Sequence, residues 1–131
     1  LQICWDTGHA NVQGLDQYQS LVELGGRLRG LHIADNYGDM DSHVAPFEGT
    51  TNFDAVMQGL IDSGYAGWFT FEATHILRTG GAWPNYRRAW QYRGEPVTRL
   101  MDVPLHLKRQ AVALLYQIGR HILAAYDCFE E

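Results

Sequence analysis

Three residues able to hold a divalent metal recur at matched places along this chain. Asp6 ends an apolar segment at 2–6, His32 lies near the end of another at 28–34, and Glu72 near the end of a third at 67–73. Carboxylate and imidazole donors suit Mn, Mg, Co or Zn, and a set that leaves coordination positions open can polarise a substrate oxygen. Each residue alone has an ordinary explanation: an Asp after a strand caps a turn, a His in an apolar strand is a hydrogen-bonded core group, and a Glu at a strand end is solvated. Their shared position makes them a set. Strand side chains alternate faces with period two. Ile3, Trp5, Leu31, Ile33, Phe69 and Phe71 then share one bulky apolar face. Cys4, Asp6, Gly30, His32, Ala34, Thr70 and Glu72 share the small or polar one. If the three segments are neighbouring parallel strands, the three donors converge at the carboxyl rim, where α/β folds gather function.

The elements between these segments fit that arrangement. A helical stretch near 15–26 separates the first two strands, and a helix near 53–63, closed by a left-handed cap at Gly64, precedes the third. Gly25-Gly26 reads as a turn without nucleotide-site context. The last helix, about 105–126, carries Leu107, Ala111, Leu114, Leu115, Ile118, Ile122 and Ala125 at helical spacing, with His106 and His121 as surface or packing residues. The order βαβαβ-loop-α predicts an α/β fold with a parallel sheet and crossover helices. The 131 residues, 46% of them apolar, are enough for about one domain and argue against disorder. No run nears the roughly 18 apolar residues of a membrane helix, and no signal-peptide core opens the chain. A net charge of −5 weighs against nucleic acid as a partner. Two distant cysteines, Cys4 and Cys128, do not make a disulfide scaffold, so a reduced cytoplasmic protein is the expectation; Cys4 reads as inward packing below Asp6.

Two loops add specificity. One reads Asp6-Thr7-Gly8-His9-Ala10-Asn11. The other reads His32-Ile33-Ala34-Asp35-Asn36, then Asp41-Ser42-His43 and Glu48-Gly49-Thr50. With Phe71-Glu72, they resemble the xylose isomerase-like TIM-barrel superfamily, in particular its sugar phosphate isomerase/epimerase branch. The resemblance covers residues 1 to about 73 well and the last helix loosely. It implies that the chain is the C-terminal portion, about three βα units, of a (β/α)8 barrel. It further implies that Asp6, His32 and Glu72 are three of four protein ligands of a divalent metal, the fourth being a Glu on a preceding strand. Glu72 would also act as acid/base, and His9 would hold substrate oxygens. Asp41 and His43 resemble a pair that, in the related apurinic-site endonuclease branch, helps hold a further zinc beside the residue matching His9; in the isomerase branch the resemblance implies, as the alternative, that His9, Asp41 and His43 are polar pocket residues only. Asp35 and Asn36 resemble loop-shaping groups or groups that orient the ligands from behind, and Asn11 joins His9 on the substrate side. The implied activity is isomerisation or epimerisation of a sugar or sugar phosphate, by proton transfer next to a metal-polarised carbonyl.

The stretch 74–103 is longer than an ordinary strand-to-helix connection and holds five of the ten basic residues: Arg78, Arg87, Arg88, Arg93 and Arg99. Trp83, Tyr86, Trp90 and Tyr92 lie among them, and His75 sits at its start. It reads either as a substrate lid, with Trp83 covering a sugar and Arg87 and Arg88 holding a phosphate, or as an oligomer contact. A complete barrel needs eight strands and roughly 250 residues. The expectation is therefore a fragment missing its N-terminal half, or a homo-oligomer that completes its sheet. The alternatives in function are an apurinic-site endonuclease-like phosphodiesterase, disfavoured by the charge and by Gly8, and a non-catalytic remnant of the barrel.

Overall fold

The computed structural model describes residues 1–73, 77 and 88–129. Strand β1 (Ile3–Asp6) leads directly into helix α1 (Thr7–Val12), where a glycine-containing loop was expected. The reason is Asp6, whose Oδ1 accepts the His9 N–H at 2.9 Å and caps the new helix. Helix α2 (Gln17–Leu24) is capped the same way by Asp16 and ends at Gly25, whose φ of +47° suits a residue without Cβ. A short 3-10 turn, Gly25–Arg27, feeds strand β2 (Leu28–His32). Helix α3 (Phe53–Asp62) has Asn52 as its cap, and Gly64 follows it at φ +70°, as the sequence predicts.

β1 and β2 are parallel, with Trp5 opposite Leu31 and Asp6 opposite His32. The expected third strand at 67–73 forms only a single parallel bridge, Ile33 to Phe71. Two hydrogen bonds hold it: Ile33 N–H to the Thr70 carbonyl and Glu72 N–H to the Ile33 carbonyl, each 2.8 Å. Upstream, the Trp68 carbonyl accepts the Tyr65 hydroxyl at 3.0 Å instead of a ladder N–H. The segment lies alongside the end of β2 in parallel sense without becoming a regular strand.

The core lies on one side of this small sheet. Leu21, Leu28, Leu31, Ile33, Phe53, Val56, Met57, Leu60 and Ile122 are buried together. Gly59 lets α2 and α3 close up, since a Cβ there would stand 3.0 Å from Leu21 Cβ. The other side is open: His32 and Thr70 are exposed, and so is Cys4, which does not pack as expected. The physical reason is that no described element covers that face.

Helix α4 (Leu105–Ala125) follows the expected span, and Ile118, Ile122 and Leu123 of its second half pack with the main core cluster. Ala111 and Ile122 are buried, whereas Leu107, Leu114 and Ala125 of the expected apolar stripe are exposed. Gly119, absent from that stripe, is buried against the Phe71 ring. The expected irregular stretch contains a short antiparallel hairpin, β3 (Gln91–Tyr92) and β4 (Glu95–Pro96). It turns through Arg93 and Gly94, both at positive φ, as a two-residue hairpin turn requires. No helix of the described residues is long and apolar enough to cross a membrane.

A Cβ at Gly119 would come within 2.7 Å of the Phe71 ring. Gly119→Val should therefore cost about 1–3 kcal/mol by overpacking, more than the helix gains from losing a glycine. Thermal unfolding checks this, and an unchanged or higher Tm would mean that α4 does not brace Phe71.

Candidate functional site

The β1–β2 register sets Asp6 beside His32, and the Phe71 bridge delivers Glu72 to the same rim. His32 Nδ1 lies 2.7 Å from Glu72 Oε2 and 3.8 Å from Asp6 Oδ2. The donor atoms of all three fall within 4.8 Å of one another. Asp6 divides its oxygens. Oδ1 caps α1, while Oδ2 faces the imidazoles of His32 and His9, each at 3.8 Å.

A second group stands beside the first. Asp41 Oδ2 lies 3.0 Å from His9 Nε2 and 2.7 Å from His43 Nε2. His43 Nδ1 is 2.9 Å from the Glu72 carbonyl oxygen, so the second group touches the backbone of the first. Burial pulls the His43 pKa down, but the Glu72 carbonyl and the Asp41 carboxylate outweigh it and hold the imidazole above its ordinary value. The Cys4 thiol, on the open face below, is raised by burial and by the carboxylates of Asp6 and Glu72, so it stays protonated at neutral pH.

The donor chemistry of both groups fits a divalent cation. With Nδ1–H donating to the Glu72 carbonyl, His43 Nε2 faces the Asp41 carboxylate at 2.7 Å, and a cation at that place would replace the proton the pair otherwise shares. Asp41 Oδ1 is buried with no hydrogen-bond partner among the described residues. An orphaned carboxylate oxygen is costly unless a cation or proton satisfies it. His9, with 60% of its side chain exposed, is the group of the second set most open to a substrate.

The loop behind these groups is held by polar contacts. Asp35, fully buried, accepts the N–H groups of Asn36 (2.8 Å) and Thr51 (3.0 Å) on Oδ1 and that of Gly49 (2.9 Å) on Oδ2. Its backbone pairs with Val44 in both directions at 3.0 Å, closing the loop that carries Asp41 and His43. A Cβ at Gly49 would overlap the Asn36 carbonyl and the Asp35 carboxylate, so glycine is required there. Asn11, expected on the substrate side, gives its amide N–H groups to Asn36 Oδ1 at 2.8 Å and Thr50 Oγ1 at 3.0 Å. Arg88 is exposed, and among the described residues it joins neither group of donors. Arg87 and Trp83 lie outside the described residues, as do His75, Arg78 and Tyr86. His121 packs edge-on against Phe47, with ring centroids 6.2 Å apart, and His106 is exposed.

Sequence reasoning missed Thr7 and Gln17, both buried. Thr7 Oγ1 donates to the Ala34 carbonyl at 2.7 Å and accepts the Ala34 N–H at 3.0 Å, pinning α1 to the chain just past β2. Gln17 donates to the Thr7 carbonyl and accepts the Trp5 indole N–H, each at 2.9 Å. Nothing in the sequence marks Gln17, because a Gln in the first turn of a helix is ordinarily solvated. Thr7 stands inside the quoted loop, but only the fold shows which backbone groups it serves.

Thr7→Val keeps the shape and removes both hydrogen bonds, leaving the Ala34 N–H and carbonyl unpaired. It should lower stability by about 1–3 kcal/mol, with Thr7→Ser closer to the unsubstituted chain. Urea unfolding of the three proteins measures this, and equal midpoints would remove Thr7 from the frame of the site.

The family model for the xylose isomerase-like TIM barrel matches residues 1–91. A protein of Sinorhizobium fredii, y4fM, is 33% identical over 70 residues, which are 53% of this chain and 22% of that protein. Fructoselysine 3-epimerase of Escherichia coli O157:H7 is 44% identical over 50 residues, 38% of this chain and 18% of the enzyme. Protein MJ1311 of Methanocaldococcus jannaschii is 35% identical over 78 residues, 58% of this chain and 27% of that protein. The matched segments thus span between 18% and 27% of these relatives. No solved structure matches.

Proposed function

From the premise that this chain belongs to the xylose isomerase-like TIM-barrel family, we propose that it carries the catalytic rim of a divalent-metal-dependent isomerase or epimerase. The proposed substrate is a sugar or sugar phosphate. On this reading the chain is the C-terminal portion of the barrel. The observation that carries the proposal is the convergence of Asp6, His32 and Glu72, one from each of three parallel segments, with donor atoms within 4.8 Å. The likeness to fructoselysine 3-epimerase supports the epimerase side of the family.

Asp6, His32 and Glu72 would hold the metal, which would supply polarisation of the substrate's hydroxyl and carbonyl oxygens. Glu72 moves the carbon-bound proton: its carboxylate sits at the rim, oriented by His32 at 2.7 Å. His9, oriented by Asp41 at 3.0 Å, donates to the substrate oxygens. Asp6 anchors α1 through the His9 N–H and so fixes the start of the helix that presents His9. The His9–Asp41–His43 group also favours a second reading, metal-assisted phosphodiester cleavage at abasic sites. The net charge of −5 opposes it, since a polyanionic substrate needs a basic face.

Solvent deuterium tests the first reading. In D2O with Mn2+ and a panel of ketoses and ketose phosphates, a substrate should gain carbon-bound deuterium. Glu72→Gln should slow that exchange by about 10²–10⁴-fold. His32→Ala should lose the bound metal, read by elemental analysis of the desalted protein, while keeping its circular dichroism. Exchange at the original rate in Glu72→Gln, or full metal content in His32→Ala, would remove the assigned roles. Nicking of an abasic-site duplex without any sugar exchange would favour the second reading.

A further inference from the structure

We infer that Asn36 is a positioning residue that sets the His9–Asp41–His43 group, by tying α1 to the loop that carries Asp41 and His43. The inference rests on the metal-site reading proposed above and extends it to a residue that touches neither donor set.

Asn36 is fully buried, and its amide joins separate parts of the chain. Nδ2 donates to the Gly8 carbonyl of α1 at 2.8 Å. Oδ1 accepts Asn11 Nδ2 of the same helix at 2.8 Å and the Gly38 N–H of the loop at 3.0 Å. Its backbone carbonyl accepts the Thr50 N–H at 2.8 Å, bringing in the 49–51 turn that Asp35 anchors. His9 follows Gly8 on α1, and Asp41 and His43 lie beyond Gly38, so the amide sits at the crossing of the two segments that must meet.

The residue type is specific. Only a primary amide of this length offers donors to one side and an acceptor to the other. A carboxylate could not donate to the Gly8 carbonyl, and an apolar isostere would leave buried N–H and C=O groups unpaired. Gly8 is part of the same fit. A Cβ there would stand 3.2 Å from Asn36 Nδ2 and 3.1 Å from Asp41 Oδ1, so its absence lets α1 approach both. The Asp6–His32–Glu72 group is positioned differently, by the β1–β2 register and the Ile33–Phe71 bridge, neither of which involves Asn36. Disturbing Asn36 should therefore act on one donor set and spare the other.

Co2+ titration of the full chain tests this, with visible absorption for each binding step and native mass spectrometry for stoichiometry. The unsubstituted chain should take up two ions, and His43→Ala one. Asn36→Asp should raise the Kd of the second ion by about 10–100-fold and leave that of the first unchanged. Asn11→Ala, which keeps the Gly8 link, should shift the same step in the same direction by less, and it carries the test if Asn36→Asp does not fold. A purely structural role would weaken both ions together, and that result overturns the inference, as does a second step that neither variant moves. An unsubstituted chain that takes one ion, unaffected by His43→Ala, overturns the two-group reading and this inference with it.

Discussion

The Asp6 carboxylate is the interaction on which the rest of the site depends, because it serves two structures at once. One oxygen caps α1 through the His9 N–H, and the other faces the imidazoles of His9 and His32. The strand register places Asp6 opposite His32, and the cap starts the helix that carries His9. A carboxylate at a helix N-terminus is stabilised by the N–H groups it accepts and by the helix dipole. Local capping and long-range assembly thus draw on the same side chain. Any change to Asp6 alters the helix start and the donor set together.

Behind the rim, the architecture changes from apolar packing to directed hydrogen bonds. The core under the sheet is a cluster of Leu, Ile, Val, Met and Phe side chains, where shape and area set the energy. The loop from Asp35 to Thr51 is instead organised by a buried carboxylate and a buried amide whose partners are mostly backbone N–H and C=O groups. Hydrogen bonds are directional and costly to leave unmade inside a protein, so such a loop has few alternative arrangements. That is suited to holding Asp41 and His43 where His9 can meet them. Thr7, bonded to both backbone groups of Ala34, adds a polar pin at the same junction.

The two faces of the sheet are unequal, and this separates support from function. Helices α2 and α3 and the end of α4 cover the Leu31 and Ile33 side. The side with Cys4, His32 and Thr70 is exposed, and the donors stand at its carboxyl edge. Phe71 links the faces. Its ring meets Gly119 of α4, its backbone bridges Ile33, and Glu72 follows it to the rim.

The sequence by itself determined the parity of the strands and the residue types at their ends. Period-two alternation separates Asp6, His32 and Glu72 from the bulky face, and that separation follows from backbone geometry alone. Helix α4 was legible from apolar spacing, α2 and α3 as helical stretches between the strand segments, and Gly64 as a left-handed cap. Tertiary structure decided what depends on partners distant in the chain. It reduced 67–73 to one bridge, with the ladder hydrogen bonds among the described residues made at Ile33 alone. It tied α1, where a glycine loop was expected, to Ala34 through Thr7 and to Asn36 through Gly8, and it buried Gly119 in place of Leu107 and Leu114. The parts played by Thr7 and Gln17, and the partners through which Asn36 shapes its loop, could not be read along the chain. A buried polar group is defined by the donors and acceptors it meets, and those belong to segments that only folding brings together.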